Sequence, residues 1–586
     1  MNIIEKRQVG DLLENILFNS GVKDIDRFLN PNNKDDTNPY NFQNIEEGAK
    51  NLLFHIATDS DIVIVVDPDM DGYASATIMY QFIDDIIEQY DSKATIRYIM
   101  QDGKEHGLND TIIENINMCD PKLIILPDSA SNDWQEQLTL STMLYDVLII
   151  DHHEIEDESY LDIIDNVIII NNQRSDNNGK VNKNFTGAGM VYNFIKVVYD
   201  LLDTSEDKIQ PPDYYLDLVA IGQIGDVSDT SDNEIRKLVF DGLDNINNEF
   251  IKSVLKLKKL NNFIAPIDLS FSIIPMVNAT TRIGEAEDKK MLFNALTRTD
   301  NSNFKTPITK KKLNKETRKY EKIEFNLPIT EIAAEDIVKV KTKQDNIVKK
   351  IVNELDKQTN HLQGVLIYTM DKLESGSVTG LVAMKLSKKY NKPCLVLLDD
   401  GEYYSGSGRG IEKVMDSFKD WCEETELFEF SQGHANAFGT SINKDKMNKL
   451  LRLSNEFEAK PSNDYEVDKK YISEVDESDL SHIIHHKYIL GGNINVLFGY
   501  ENLKVAKKNI YTKGRTIEFS VGGIDFVMWQ SPEELIEKLT TGFNEYYNFN
   551  IVGEPFEVNF SGTPQNKIVI KDMEILEDSE EDDFFF

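Results

Sequence analysis

Five aspartates and two histidines stand where apolar runs stop: Asp67, Asp69 and Asp71 after DIVIVV (61–66), Asp128 after KLIILP (122–127), and Asp151-His152-His153 closing DVLIID (146–151). Carboxylate and imidazole are borderline-hard donors that suit Mn²⁺, Mg²⁺ or Zn²⁺. The cysteines, Cys119, Cys394 and Cys422, are far apart and form no CxxC pair, which argues against a structural zinc. Clustered carboxylates repel one another unless cations lie between them. Two divalent ions sharing a bridging aspartate would activate water and clamp a phosphoryl group for in-line attack. AIGQIGDVSDTSD (220–232) offers one more acid, Asp226, although Gly-Asp by itself is ordinary turn chemistry.

The elements that must position these groups are legible around them. Apolar stretches of about four to six residues without alternation are what strands buried on both faces look like. DIVIVVD, KLIILPD, DVLIID and NVIIINN (166–172) all have this form, and YASATIMYQFIDDIIEQY (73–90) between the first two is apolar at helical spacing. The segment therefore reads as a parallel sheet covered by helices. In such a sheet the carboxyl ends of the strands form the ligand crevice. Aspartate caps single strands often, but three successive strands ending in acids are not explained by turn chemistry.

At about 150 residues per domain, 586 residues predict several domains. A chain 40% hydrophobic and 28% charged has the balance of a soluble protein. No apolar run approaches the ~18 residues of a membrane span, and MNIIEKRQVGDLLENI lacks a signal core. With no disulfide framework, a reducing cytoplasm is expected. Net charge is −38, so phosphate-bearing partners require a local basic groove or bound cations. FKTPITKKKLNKETRKYEKIEF (304–325) is the most basic stretch and reads as a helix carrying Lys311 and Arg318, able to line such a groove; the bland alternative is a solvated linker. Beyond about 485 the pattern alternates as β, with Lys504, Lys507, Lys508, Lys513 and Arg515 among Tyr500, Tyr511, Phe519 and Trp529. That mixture suits single strands, although aromatics at strand spacing are more often core. His55 reads as packing, and His482, His485 and His486 as an exposed helix turn.

DPDMDGYASA, LPDSAS, IIDHHEIED and IGQIGDVSD, in this order, resemble the four motifs of the DHH phosphoesterase superfamily. SVTGLVAMKLSKKYNKP, YYSGSGRGI and SQGHANAFGTSI resemble its associated phosphate-binding domain. With FLNP, DGKEHGLND, FTGAGMVYNF and IPMVNATTRIGEAEDKKML, the chain is similar to the RecJ type, exonucleases specific for single-stranded DNA, over most of residues 20–445.

The resemblance implies an α/β architecture: a helical lead-in (1–45), a parallel-sheet DHH domain (46–250), a helical connector with the basic helix (251–354), a smaller α/β associated domain (355–455), an OB-like β-barrel (456–576) and an acidic disordered tail (577–586). It implies two Mn²⁺ or Mg²⁺ ions held by Asp67, Asp69, Asp71, Asp128, His152 and Asp226, with Asp128 bridging. Asp151 would orient the histidine pair, and His153 would contact the scissile phosphate or help protonate the leaving group. Ser407, Arg409, Gly433 and His434 would hold a neighbouring phosphate, with Arg282 approaching from the connector. The implied activity is 5′→3′ hydrolysis of single-stranded DNA to mononucleotides in repair, recombination or replication. The tail EDSEEDDFFF is similar to partner-recruiting acidic tails, and a merely solubilising end is the alternative. Three departures stand out: Ser129-Ala130 where a glycine is usual, His106 where a tyrosine is usual, and Gln432 for the first glycine of a GGH triplet. A nanoRNase or cyclic-dinucleotide phosphodiesterase is the enzymatic alternative, disfavoured by length. A catalytically dead replication scaffold is disfavoured by the intact ligand set.

Overall fold

The computed structural model describes residues 1–586 except 33–35, 102–105, 203–208, 261–263, 299–304, 314–319, 359–362, 372–377, 459–463, 487–489, 491–493, 543, 561–562 and 577–586, with backbone alone at 308–313, 320–323, 558–560 and 563–564. The chain begins as a strand, β1 (Asn2–Glu5), and not as helix. Ile3 is buried against Val467 and Val552, and β1 pairs in parallel with Asp464–Val467. Helices α1 (Leu12–Asn19) and α2 (Ile25–Leu29) follow. Asp11 and Glu14 close a capping box on α1, which puts Leu13, Ile16 and Leu17 into the core of the C-terminal sheet. The lead-in lacks apolar residues enough for a core of its own, so it shares one.

The next elements are α3 (Ile45–Ala57), β2 (Asp61–Val66), α4 (Met70–Gln89), β3 (Thr95–Met100), α5 (Asp110–Cys119), β4 (Leu123–Pro127), α6 (Trp134–Thr142), β5 (Asp146–Asp151) and β6 (Val167–Asn171). Their five strands form one parallel sheet in the order β3-β2-β4-β5-β6. Ile62, Ile64 and Val66 of β2 enter the core on one face, the upper core, and Val63 and Val65 the core on the other, the lower core. Burial on both faces is why the run is apolar without alternation. The chain passes from β2 to β3 on one side and then to β4 on the other, so β2 and β4 flank a topological switch point. Ligands bind at the carboxyl edge of such a point.

Helices α7 (Gly187–Leu201), α8 (Leu216–Gly225), α9 (Asn233–Asp244), α10 (Glu249–Lys258), α11 (Pro266–Phe271), α12 (Ile273–Ile283) and α13 (Ala286–Leu296) continue the upper core. The basic stretch expected to be helical is instead a hairpin, β7 (Lys305–Leu313) with β8 (Tyr320–Pro328), in which Lys311 pairs with Lys322 in register. Thr306, Ile308 and Thr309 on one strand and Tyr320, Ile323 and Phe325 on the other are β-formers, and they outweigh the helical bias of the lysines. Arg318 lies outside the described residues.

Helix α14 (Ile329–Leu355) has 27 residues and is therefore about 40 Å long. Ala333, Ala334 and Ile337 pack on the upper core of the first domain, Val348, Ile351 and Leu355 on that of the next. It joins the two as a strut. The next unit contains β9 (Leu366–Met370), α15 (Thr379–Tyr390), β10 (Cys394–Asp400), β11 (Tyr403–Arg409), α16 (Phe418–Glu424), β12 (Phe428–His434), β13 (Ala437–Asn443) and α17 (Met447–Glu456), with sheet order β12-β13-β11-β10-β9.

The last unit comprises β14 (Asp464–Val467), β15 (Lys469–Ile472), α18 (Glu477–His485), β16 (Phe498–Ala506), β17 (Ile510–Lys513), β18 (Thr516–Val521), β19 (Ile524–Met528), α19 (Glu533–Thr541), β20 (Tyr546–Phe560) and β21 (Thr563–Leu576). Its seven-stranded sheet, β15-β16-β20-β21-β19-β18-β17, is largely antiparallel and OB-like. Tyr500 and Phe519 are core, whereas Tyr511 and Trp529 are exposed. His55 is buried against Ser60 and Asp146, and His482 and His485 lie on α18. The acidic tail lies outside the described residues. Among the described residues no helix is long and apolar enough to cross a membrane.

Candidate metal centre

Asp67 directly follows β2, and Asp69 caps α4, its Oδ1 accepting the Gly72 N–H at 3.1 Å. A Cβ on Gly72 would lie 2.5 Å from that of Asp67, so glycine lets the helix start this close to the strand end. Asp71 sits in the first turn of α4 and is buried. Its carboxylate accepts hydrogen bonds from Thr186 Oγ1 (2.9 Å), Gly187 N (2.6 Å) and Ala188 N (3.0 Å) at the amino end of α7. A helix amino end is electropositive, which suits a buried anion.

Asp128 follows β4 with a left-handed φ of 70°, and Ala130 follows with φ 80°. The loop keeps a glycine-like shape without glycine at Ala130, whose methyl packs into the lower core. Gly187 faces Asp128: a Cβ there would meet the aspartate at 2.4 Å. Asp151 is buried at the end of β5 and accepts from Ser131 N (3.0 Å), His152 N (2.7 Å) and His153 Nδ1 (2.8 Å). Asp226 follows α8, half exposed, with Val227 next at φ 57°.

These groups converge. His152 Nε2 is 3.1 Å from Asp128 Oδ1, 3.8 Å from Asp226 Oδ2 and 3.9 Å from Asp71 Oδ2. Asp128 Oδ1 is nonetheless buried without a hydrogen-bond donor, because the imidazole approaches it without hydrogen-bond geometry. Neighbouring ligands on an octahedron with ~2.1 Å bonds are about 3.0 Å apart. The donor set and this orphaned oxygen fit a divalent cation. Among the described residues, no lysine or arginine forms an ion pair with Asp67, Asp69, Asp71, Asp128 or Asp226.

The electrostatics agree. Burial, then Asp71 and Asp69, push the Asp128 carboxyl well above the usual range. Burial also raises Asp67 and Asp71, and burial with Asp71 raises Asp226 to about 6. Asp151 goes the other way: the two histidines overcome its burial and lower it. Burial alone would lower His153, but the Asp151 carboxylate beside it raises it to about 10. The His153 side chain is half exposed.

In the associated domain, register puts Arg409, Ala437 and His434 in one row and Ser407, Gly439 and Gln432 in another. Gly433, between His434 and Gln432, has φ 125°. Ser407 Oγ and Thr379 Oγ1 are 2.9 Å apart, and a Cβ on Gly380 would meet Arg409 Nη2 at 2.6 Å. The Arg409 guanidinium is held below its usual pKa by burial and by Arg282, which places the two cations near one another. Lys311 belongs to the β7–β8 hairpin.

Three features of the two sites have no signature in strand or helix periodicity. The sequence gives FTGAGMVYNF no role, yet Thr186 and Gly187 anchor Asp71 and make room for Asp128. Thr379 and Gly380 pack against Ser407 and Arg409. His106 stands in the sequence only as a departure, yet its Nδ1 is 2.5 Å from Asp67 Oδ2.

A parallel sheet with aspartates and a His-His pair at its switch point defines a DHH-type phosphoesterase domain. The model of the DHH family, N-terminal domain, matches residues 61–223. YorK, a protein of the SPβ prophage of Bacillus subtilis (strain 168) named as a single-strand DNA-specific exonuclease, is 30% identical over 593 aligned positions, covering 97% of this chain and 96% of its own. RecJ of the same organism, named as a single-stranded-DNA-specific exonuclease, is 24% identical, covering 78% of this chain and 53% of its own. Among solved structures, RecJ of Thermus thermophilus in complex with Mn²⁺ matches with a TM-score of 0.69 at 15% identity, covering 98% of this chain and 79% of its own. The chain belongs to the DHH family, within its RecJ-type exonucleases, and its enzyme class is that of a hydrolytic nuclease.

Proposed function

We propose that the protein is a single-stranded-DNA-specific 5′→3′ exonuclease releasing mononucleotides with two divalent ions, Mn²⁺ or Mg²⁺. The observation that carries the metal reading is the buried Asp128 Oδ1, 3.1 Å from His152 Nε2 and left without a hydrogen-bond donor. The names of YorK and RecJ, relatives aligned along most of this chain, support the substrate.

Asp71, Asp128, His152 and Asp226 would hold one ion, Asp67 and Asp69 the other, with Asp128 between them. When bound, such ions supply Lewis-acid activation of water and charge neutralisation at the phosphate. The remaining work falls to the chain. Asp151 fixes the orientation of His152 and His153. His153, with Nδ1 held by Asp151, would present its Nε2 side to the scissile phosphate. Arg409, with Arg282 near it, holds a second phosphate along the strand, supported by Ser407, the Gly433 backbone and His434. Exposed Tyr511 and Trp529 offer stacking faces, and the lysines of β7 and β8 phosphate contacts, so that a local path serves DNA on an acidic protein. The tail 577–586 would recruit replication or recombination proteins, and the setting is the cytoplasm, in DNA repair, recombination or replication.

The test is degradation of end-labelled single- and double-stranded DNA and RNA with Mn²⁺, Mg²⁺ or EDTA. A 5′ label on single-stranded DNA should appear early as mononucleotide and only with metal. Early long fragments would indicate an endonuclease, and cleavage in EDTA would remove the metal reading.

A further inference from the structure

The acids at the sheet edge form two groups, not one. Asp128, Asp151, His152 and His153 bring donor atoms within 4.8 Å of one another, and so, separately, do Asp67, Asp69 and His106. The first group contains imidazoles by virtue of the DHH motif. The second acquires one from a different part of the chain, the segment after β3. His106 Nδ1 lies 2.5 Å from Asp67 Oδ2, and the ring is half exposed. Asp67 is 1% exposed, and Gly107 N donates to its other oxygen at 3.3 Å. Asp69 spends Oδ1 on the cap of α4. His106 is the only basic side chain that pairs with Asp67 among the described residues. Next to this group stands Asp128, whose buried oxygen lacks a donor and whose carboxyl feels both Asp67 and Asp69.

We infer that His106 is an imidazole ligand of the ion held by Asp67 and Asp69, and that it biases this position towards Mn²⁺ and similar borderline ions over Mg²⁺. Imidazole binds later first-row metals better than it binds Mg²⁺, which prefers an all-oxygen shell. Each ion of the pair then has one histidine, His152 at one pole and His106 at the other. The inference rests on the metal-centre reading above and goes beyond it in ligand and metal choice.

The competing role is a positioning one, with the ring donating a hydrogen bond that aims Asp67. Asparagine separates the two roles, since its amide can donate to Asp67 but is a poor metal ligand; His106→Phe removes both functions. Full-length wild type, His106→Asn and His106→Phe are titrated with Mn²⁺ and with Mg²⁺ by calorimetry, without DNA. The bound Mn²⁺ is then examined by pulsed electron paramagnetic resonance for ¹⁴N coupling, and melting in EDTA checks the fold. Wild type should bind two Mn²⁺ with histidine nitrogen coupled to both. In both variants one Mn²⁺ should weaken about 10–100-fold and lose its nitrogen coupling, while Mg²⁺ affinity changes less than about threefold. Wild-type Mn²⁺ affinity and undiminished coupling in His106→Asn would overturn the inference and leave the metal centre standing. A wild type that binds no Mn²⁺ would overturn the metal centre itself.

Discussion

At the residue scale, the centre depends on side chains that are costly without a cation. Asp128→Ala and His152→Ala should each abolish cleavage, by at least about 10³-fold in kcat, while binding of single-stranded DNA in a gel-shift assay changes less than about threefold; retained cleavage would mean that the ligands are misassigned. Gly187→Ala should also be damaging, although it replaces no ligand. The added methyl would lie 2.4 Å from the Asp128 carboxylate, and such overpacking costs about 1–3 kcal/mol. Activity per folded molecule should fall at least tenfold, more than the melting temperature alone would explain. Asp67, Asp128, Asp151 and His152 stand out in the sequence because they sit at or directly after the ends of unbroken apolar strands, a pattern with few other causes. Thr186, Gly187 and His106 do not. Their roles depend on which helix end and which loop meet the sheet edge, and strand periodicity does not carry that information.

At the element scale, the parallel sheet was legible because burial on both faces leaves a plain apolar signature in β2, β4, β5 and β6. In the basic stretch charge dominates the composition and points to a helix, whereas Ile308, Ile323 and Phe325 and the pairing register decide for a hairpin. The strut α14 shows what an element can do between sites. Its buried residues follow helical spacing from Ala333 to Leu355, so one continuous helix links the core beside Asp128 to the domain that carries Arg409. Thr342 is exposed near its middle. Thr342→Pro should kink α14 at a cost of about 3 kcal/mol. Mn²⁺ affinity should stay within about twofold of wild type, while the rate of degradation of long strands falls at least tenfold. An unchanged rate would show that the two sites need no fixed spacing.

At the scale of the whole molecule, 63 basic residues face 101 acidic ones, and the metal centre lies within that negative field. Asp67, Asp71 and Asp128 are buried, so salt screens them far less than it screens surface charge. Their carboxyls, and that of Asp226, titrate above the unfolded value of about 3.8. The metal-free native state therefore binds more protons than the unfolded state between the two pKa values, and stability rises as pH falls through that window. In EDTA the protein should melt higher at pH 5.5 than at pH 7.5, and Asp226→Asn, whose group titrates near 6, should reduce the difference. At pH 7.5, Mn²⁺ at about 100 times its Kd should restore about 2.7 kcal/mol for one ion, or several degrees in Tm, which sodium chloride of equal ionic strength should not reproduce. Asp128→Ala should melt higher than wild type in EDTA and gain less from Mn²⁺, because it removes a buried charge together with the oxygen that waits for the ion. A variant that melts lower than wild type in EDTA would show that Asp128 supports the fold and not the cation.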